Sequence, residues 1–288
     1  MTITADQVKK LREKTGAGMM DCKKALEKSG GDIKKAIDYL REQGIAKATQ
    51  KASRIAKEGL IFSSIQSQDR LGVLLELNCE TDFVARTEDF NKLAKDMAMW
   101  IIQHRPTEIN QLIESMKEKL NQTIAKLGEN ITAKRFVLFE LNEKSNGVIH
   151  SYIHPGDKLG VLLKLKCQTE VVAQDQEFKQ LAKDISMQIA ATNPLVITRD
   201  RLKPEIIEKE KDIYRTRAKN EGKPEKIIER IVQGKLEKYF QEVCLLEQPF
   251  VKDQDRSVRE RIDETQKKLG EEITVEQFVR FRLGDETS

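Results

Sequence analysis

The chain has 288 residues, 39% of them apolar and 34% charged, with 51 Lys and Arg against 47 Asp and Glu for a formal net charge of +4. That length holds two or more domains with cores of their own, and the charge suits small modules with much exposed helix surface, not one thick core. So slight a basic excess permits a nucleic-acid partner without arguing for one. The four cysteines, Cys22, Cys79, Cys167 and Cys244, contain no C-x-x-C pair and read as buried free thiols rather than metal ligands or catalytic groups. With no signal-type apolar segment at the N-terminus and no run of 18 or more apolar residues, a soluble cytoplasmic protein is expected.

In chain order, residues 1–44 predict three short helices. Thr4 caps the first, with Ile3, Val8 and Leu11 on one face. Thr15-Gly16-Ala17-Gly18 breaks it, and the second carries Met19, Met20, Cys22, Ala25 and Leu26. Asp32 caps the third, which should stop at Gly44. A module this small with so few large apolar groups suits protein binding better than catalysis. Gly16-x-Gly18-x-x-Asp21 superficially resembles a dinucleotide loop but lacks the third glycine and follows a helix. Residues 45–57 form a linker or short exposed helix.

Two strands follow, Leu60–Ile65 and Leu71–Cys79, around the turn Gln66-Ser67-Gln68-Asp69. After Thr81 a helix stripe of Phe90, Leu93, Ala94, Met97, Ala98 and Ile101 faces that sheet. One helix is predicted over Thr107–Leu127, then a strand over Arg135–Leu141, strands at Gly147–Ile153 and Leu159–Cys167, and a helix from about Gln174 to Ala191. Residues 199–248 read as a projecting antiparallel helical hairpin broken at Asn220-Glu221-Gly222-Lys223-Pro224, an arm suited to packing or to pairing two copies in a homodimer. The tail is a helix, Val258–Leu269, and an amphipathic segment, Val275–Phe281, placed to dock on the core or on a partner.

The stretch from Gly59 to Met99 recurs at Gly147 to Met187 with a constant interval of 88 residues and about half its positions identical, Leu-Gly-Val-Leu-Leu included. Two copies are too few for a solenoid. The expected fold class is therefore α+β: a three-helix N-terminal module with linker (1–54), a pseudo-symmetric two-repeat core (55–143 and 144–198), the helical hairpin (199–248) and a C-terminal helical module (249–288).

Catalytic equipment is sparse. No phosphate loop, H-E-x-x-H or G-x-S-x-G occurs. His150 and His154 lie four apart on a predicted strand and turn, so they share no helical face as metal ligands would, and His104 ends a helix. No metal, cofactor or enzymatic site is expected. The copies differ at Thr81-Asp82-Phe83-Val84, which becomes Thr169-Glu170-Val171-Val172. Periodicity alone tucks Phe83 beneath the following helix; Val171 at the equivalent place shows that the fold needs no aromatic there, as expected of a functional tip on a symmetric scaffold.

Leu11 to Leu26, with Thr15-Gly16-Ala17-Gly18-Met19-Met20-Asp21-Cys22 at its centre, resembles the opening signature of the bacterial elongation factor Ts family. Asn78-Cys79-Glu80-Thr81-Asp82-Phe83-Val84-Ala85-Arg86 resembles its second signature, and Tyr152-Ile153-His154-Pro155-Gly156 and Gln248–Asp253 are similar to further family segments. The resemblance runs the length of the chain in order. It implies a guanine-nucleotide exchange factor for elongation factor Tu, with no covalent chemistry of its own and a UBA-like N-terminal module. It also implies roles for residues. Met19 and Met20, with Leu11 beside them, would grip the GTPase's nucleotide domain. Thr81, Asp82, Phe83 and Val84 would press beside the nucleotide and displace Mg²⁺, and His154 would touch a more distant domain. Two rivals remain: an RNA-binding accessory protein of translation, which predicts RNA affinity falling steeply with salt, and a metabolic enzyme using the cleft between the repeats, which predicts a titratable cluster there.

Overall fold

The structure, a computed structural model, describes residues 3–285. Thr4 starts α1 (Ala5–Thr15) with a capping box to Gln7, and left-handed Gly16 (φ 69°) ends it. Next come α2 (Met19–Lys28) and α3 (Ile33–Lys51), the latter capped by Asp32, whose Oδ1 accepts from the Lys34 and Lys35 N–H groups. The three helices close around Val8, Leu11, Cys22, Ala25, Leu26 and Ala36. The expected stop at Gly44 does not occur. Gly44 is buried inside α3, which runs on through it to Lys51; a Cβ there would meet Ala125 Cβ at 3.7 Å, an ordinary contact.

The first half of the core runs β1 (Glu58–Gln66), β2 (Leu71–Cys79), α4 (Asp82–Ala85), α5 (Glu88–His104), α6 (Ile109–Ser115), α7 (Lys117–Leu127) and β3 (Thr132–Glu140). The single helix predicted over Thr107–Leu127 is two, broken at Met116, where φ −100° and ψ 7° leave the helical region. The second half supplies β4 (Asn146–Ile153), β5 (Leu159–Cys167), α8 (Glu170–Gln174) and α9 (Gln176–Thr192). After it come the arm helices α10 (Pro204–Asn220) and α11 (Glu225–Val243), the short strands β6 (Pro249–Phe250) and β7 (Asp253–Ser257), then α12 (Val258–Leu269) and β8 (Thr274–Arg282). The fold is α+β.

The C-terminal segment is not a purely helical module. Its last stretch is β8, which pairs antiparallel with β5 and completes the sheet β4-β5-β8, just as β3 completes β1-β2-β3. The register irregularity between Glu76 and Leu77 recurs between Lys164 and Leu165. A polar pair recurs with its signs exchanged: Lys134 Nζ lies 3.7 Å from buried Glu76, and Lys164 Nζ lies 3.1 Å from Glu276. The second half is thus closed by residues beyond the arm.

The central strands bury both faces, as their nearly continuous apolar runs require. Val73, Leu75 and Leu77 face α5, while Leu74 faces the other sheet; Val161, Leu163 and Leu165 face α9, while Leu162 faces back. Between the sheets lie Ile61, Leu74, Phe139, Ile149, Leu162 and Phe281. Close approach here requires two glycines. A Cβ at Gly72 would stand 2.6 Å from Ile149 Cγ2, and one at Gly160 2.6 Å from Ile61 Cγ2. Ser63 Oγ donates to Ser151 Oγ at 3.1 Å across the same pseudo-axis. Each hairpin turn also covers the other half's edge strand: Ile61 N–H donates to the Asp157 carbonyl at 2.7 Å, and Ile149 N–H to that of Asp69 at 2.6 Å.

The arm holds its own apolar contacts, Ala218, Ile228 and Val232, with Leu202, Leu236, Phe240 and Cys244 at its base. There Arg199 bonds Glu237 and Glu247 and lies over the Phe240 ring at 4.4 Å.

Candidate functional site

Strand β2 ends at Cys79, whose thiol donates to the Thr81 carbonyl at 3.1 Å. Thr81 is extended (φ −128°, ψ 154°) and caps α4, its Oγ1 accepting from the Val84 N–H at 3.4 Å. Val84 and Ala85 point into the core, and Thr87 Oγ1 donates to the Val84 carbonyl at 2.7 Å before capping α5. Asp82 pairs with Arg86 at 3.0 Å. With the turn fixed at both ends, its remaining side chain, Phe83, points out and is 81% exposed. It does not pack beneath the following helix. A large aromatic held in water on a turn fixed at both ends contributes almost nothing to this chain's own core.

The second copy has the same geometry. Thr169 caps α8, Val172 and Ala173 are buried, and Val171 is also 81% exposed. The two tips therefore differ in side chain, not in presentation.

Met19 and Met20 open α2 and are 59% and 74% exposed, an adaptable apolar surface on the N-terminal module. Leu11 is 0% exposed within that module, so it supports the surface from behind and is not itself a contact. His154 is exposed in the β4–β5 turn, its Nδ1 3.1 Å from Tyr152 Oη, with Gly156 and Asp157 left-handed beside it. Between the N-terminal module and the core, Lys126 of α7 lies beside Gly16, and its Nζ donates to Asp89, at the start of α5, at 2.7 Å.

A residue the sequence reading passed over completes the turn. Glu129 Oε2 accepts the N–H groups of Glu80 (3.0 Å) and Thr81 (2.9 Å), and its Oε1 accepts Thr81 Oγ1–H at 2.6 Å. Glu271 makes the same three bonds to Gln168 and Thr169. The signal was present: Lys126-Leu127-Gly128-Glu129 recurs as Lys268-Leu269-Gly270-Glu271, at an interval of 142 residues (270 − 128).

The chemistry elsewhere is quiet. All four cysteines are free, and burial pushes the Cys79 thiol up to about 12 and those of Cys167 and Cys244 up to about 11, far from thiolate reactivity. His150 is held below its ordinary range, first by burial, with Asp69 opposing and Lys183 adding to the shift; its Nδ1 lies 3.0 Å from Ser186 Oγ. Among the described residues no group of three or more His, Cys, Asp or Glu is placed to hold a metal ion, and no helix is long and apolar enough to cross a membrane.

With this geometry in hand, comparison with known proteins is decisive. The family profile described as Elongation factor TS matches residues 80–285. An elongation factor Ts of Clostridium botulinum (strain Alaska E43 / Type E3) is 47% identical over 290 residues, covering 98% of this chain and 93% of that protein. The elongation factor Ts of Lawsonia intracellularis is 44% identical over 294 residues, covering 99% and 100%. The chain belongs to the elongation factor Ts family. Its place is thus among the elongation factors of protein biosynthesis. The elongation factor Ts profile covers the Phe83 turn, β3 of the first sheet, the whole β4-β5-β8 sheet, the arm and the closing α12–β8 segment.

Proposed function

We propose that this chain is a guanine-nucleotide exchange factor that binds elongation factor Tu with GDP, displaces its Mg²⁺ and so promotes GDP release during translation elongation. Family membership supports the partner, and the observation that carries the mechanism is the exposed Phe83 on a turn fixed by Thr81, Val84 and Glu129. Mg²⁺ bridges nucleotide phosphates and is the largest local charge in such a site, so disturbing its geometry loosens GDP by electrostatics. In this reading Met19 and Met20 supply binding area, the Thr81–Val84 turn acts as the wedge, and His154 makes a second, distant contact. Leu11 keeps α2 in place from within.

A wedge that stabilises a GTPase conformation poor at holding GDP must itself be weakened by GDP to the same factor, since binding free energies are reciprocal. The factor accordingly departs when nucleotide returns. Nothing in this requires covalent chemistry. The test is release of fluorescent GDP from elongation factor Tu on addition of this protein in millimolar Mg²⁺. Accelerated release supports the reading; release at the spontaneous rate contradicts it.

A further inference from the structure

We propose that Glu129 is the positioning residue of the exchange turn: its carboxylate sets the direction in which Phe83 points, and through Asn130 it joins that turn to the linker of the N-terminal module. The proposal rests on the exchange reading above and extends it to a residue some fifty positions along the chain, outside the turn.

Phe83 has little packing of its own to orient it, because 81% of it is exposed. Its direction is inherited from the backbone. That backbone is held from inside by Val84 and Ala85 and at its entry by Glu129, which takes three donors at once: the Glu80 and Thr81 N–H groups at 3.0 and 2.9 Å and the Thr81 hydroxyl at 2.6 Å. By accepting the hydroxyl proton, Glu129 leaves the Thr81 oxygen lone pairs free for the Val84 N–H, so the helix cap depends on the carboxylate. Charge-assisted bonds of this kind are roughly twice as strong as neutral ones. Without Glu129, two backbone donors at the strand end lose their partner and the turn gains conformers in which Phe83 points elsewhere.

The Phe83 copy carries a second layer that the other copy lacks. Asn130 N–H donates to Glu80 Oε1 at 2.7 Å, buried Asn130 Nδ2 donates to the Arg54 carbonyl at 2.7 Å, and Arg54 lies 3.6 Å from Glu80. Gln168 and Glu272, standing where Glu80 and Asn130 stand, do not repeat this among the described residues. Pinning Arg54 fixes the linker after α3, and with it the relation between the Met19–Met20 surface and Phe83. The same carboxylate clamp therefore occurs twice, and only at the aromatic tip is it extended toward the other contact surface.

The pseudo-symmetry provides a matched control, because Glu271 makes the same three bonds at the Val171 tip. E129A and E271A, with E129Q and E271Q, are compared in thermal melting and in GDP release from elongation factor Tu over a range of factor concentrations. E129A should lower the saturating release rate about tenfold, with the half-saturating concentration changed by less than about threefold, a tenfold change being 1.4 kcal/mol. E271A should melt within a few degrees of E129A and keep the wild-type rate. E129Q, which keeps an oxygen for the backbone donors but whose amide nitrogen cannot accept the Thr81 hydroxyl proton, should recover only part of the loss and stay slower than E271Q. If the alanine variants do not fold, the glutamine pair decides: E129Q slower than E271Q supports the proposal, and equal rates overturn it. Equal saturating rates for E129A and E271A also overturn it. Wild-type protein without acceleration would instead overturn the exchange reading, and an active wild type slowed by F83A but not by E129A would overturn this inference alone.

Discussion

Truncating Phe83 should separate stability from exchange activity. Because the ring is 81% exposed, Phe83→Ala removes almost no buried area, and the folding free energy should move by no more than about 0.5 kcal/mol. In the complex the same ring would be buried against the GTPase, where a fully buried Phe contributes roughly 1.5–3 kcal/mol. If that energy is realised in the state that releases GDP, its loss slows exchange roughly 10- to 100-fold, at 1.4 kcal/mol per tenfold. Val171→Ala is the internal control, since that side chain is equally exposed on an equivalent turn. Stopped-flow release of fluorescent GDP, with thermal melting alongside, reads both quantities. Exchange by Phe83→Ala within about threefold of wild type, or an equal loss in Val171→Ala, would refute the reasoning.

Met19→Asp with Met20→Asp should weaken complex formation in a binding titration while leaving melting of the core unchanged, because both side chains are exposed on α2. Gly72→Ala and Gly160→Ala should each cost about 1–3 kcal/mol by overpacking the sheet interface, since each new Cβ would meet an isoleucine methyl at 2.6 Å; denaturant titration checks this, and wild-type stability in either would contradict the packing described. His150 is kept neutral by burial below its ordinary 6.5, so the unfolded chain binds the proton more readily. That contribution is present above the unfolded pKa and lost as pH falls through it, so melting between pH 7.5 and 5.5 should decline more in wild type than in His150→Gln.

Much of the scaffold was legible because apolar periodicity is strong where strands are buried on both faces, as at Leu71–Cys79 and Leu159–Cys167. The interval of 88 residues between copies also predicted a paired core. What escaped was the completion of the second copy. Its closing helix, Gly270, Glu271 and β8 recur at an interval of 142, displaced by the arm inserted between α9 and α12, so a gapless comparison ends before reaching them. The β8 segment also has mixed burial, since Val275 and Phe278 join the core of the second half while Val279 and Phe281 join the layer between the sheets, and an amphipathic segment of that length fits either element. Gly44 misled because a glycine inside a helix and one that ends it look alike in sequence; here the helix is buried at that point and continues to Lys51. At the candidate site, the asymmetry of Phe83 and Val171 was visible from the repeats alone. The burial of Leu11 and the clamp by Glu129 were not, because both depend on contacts between distant segments.

The central claim, that the Phe83 turn acts on the Mg²⁺-held nucleotide of the partner, is tested most directly by measuring GDP release from elongation factor Tu in millimolar Mg²⁺ and again in excess chelator, with and without this protein. If the turn works by displacing Mg²⁺, the acceleration should be large in Mg²⁺ and clearly smaller once the chelator has removed the ion. An acceleration factor equal in both conditions would contradict the account.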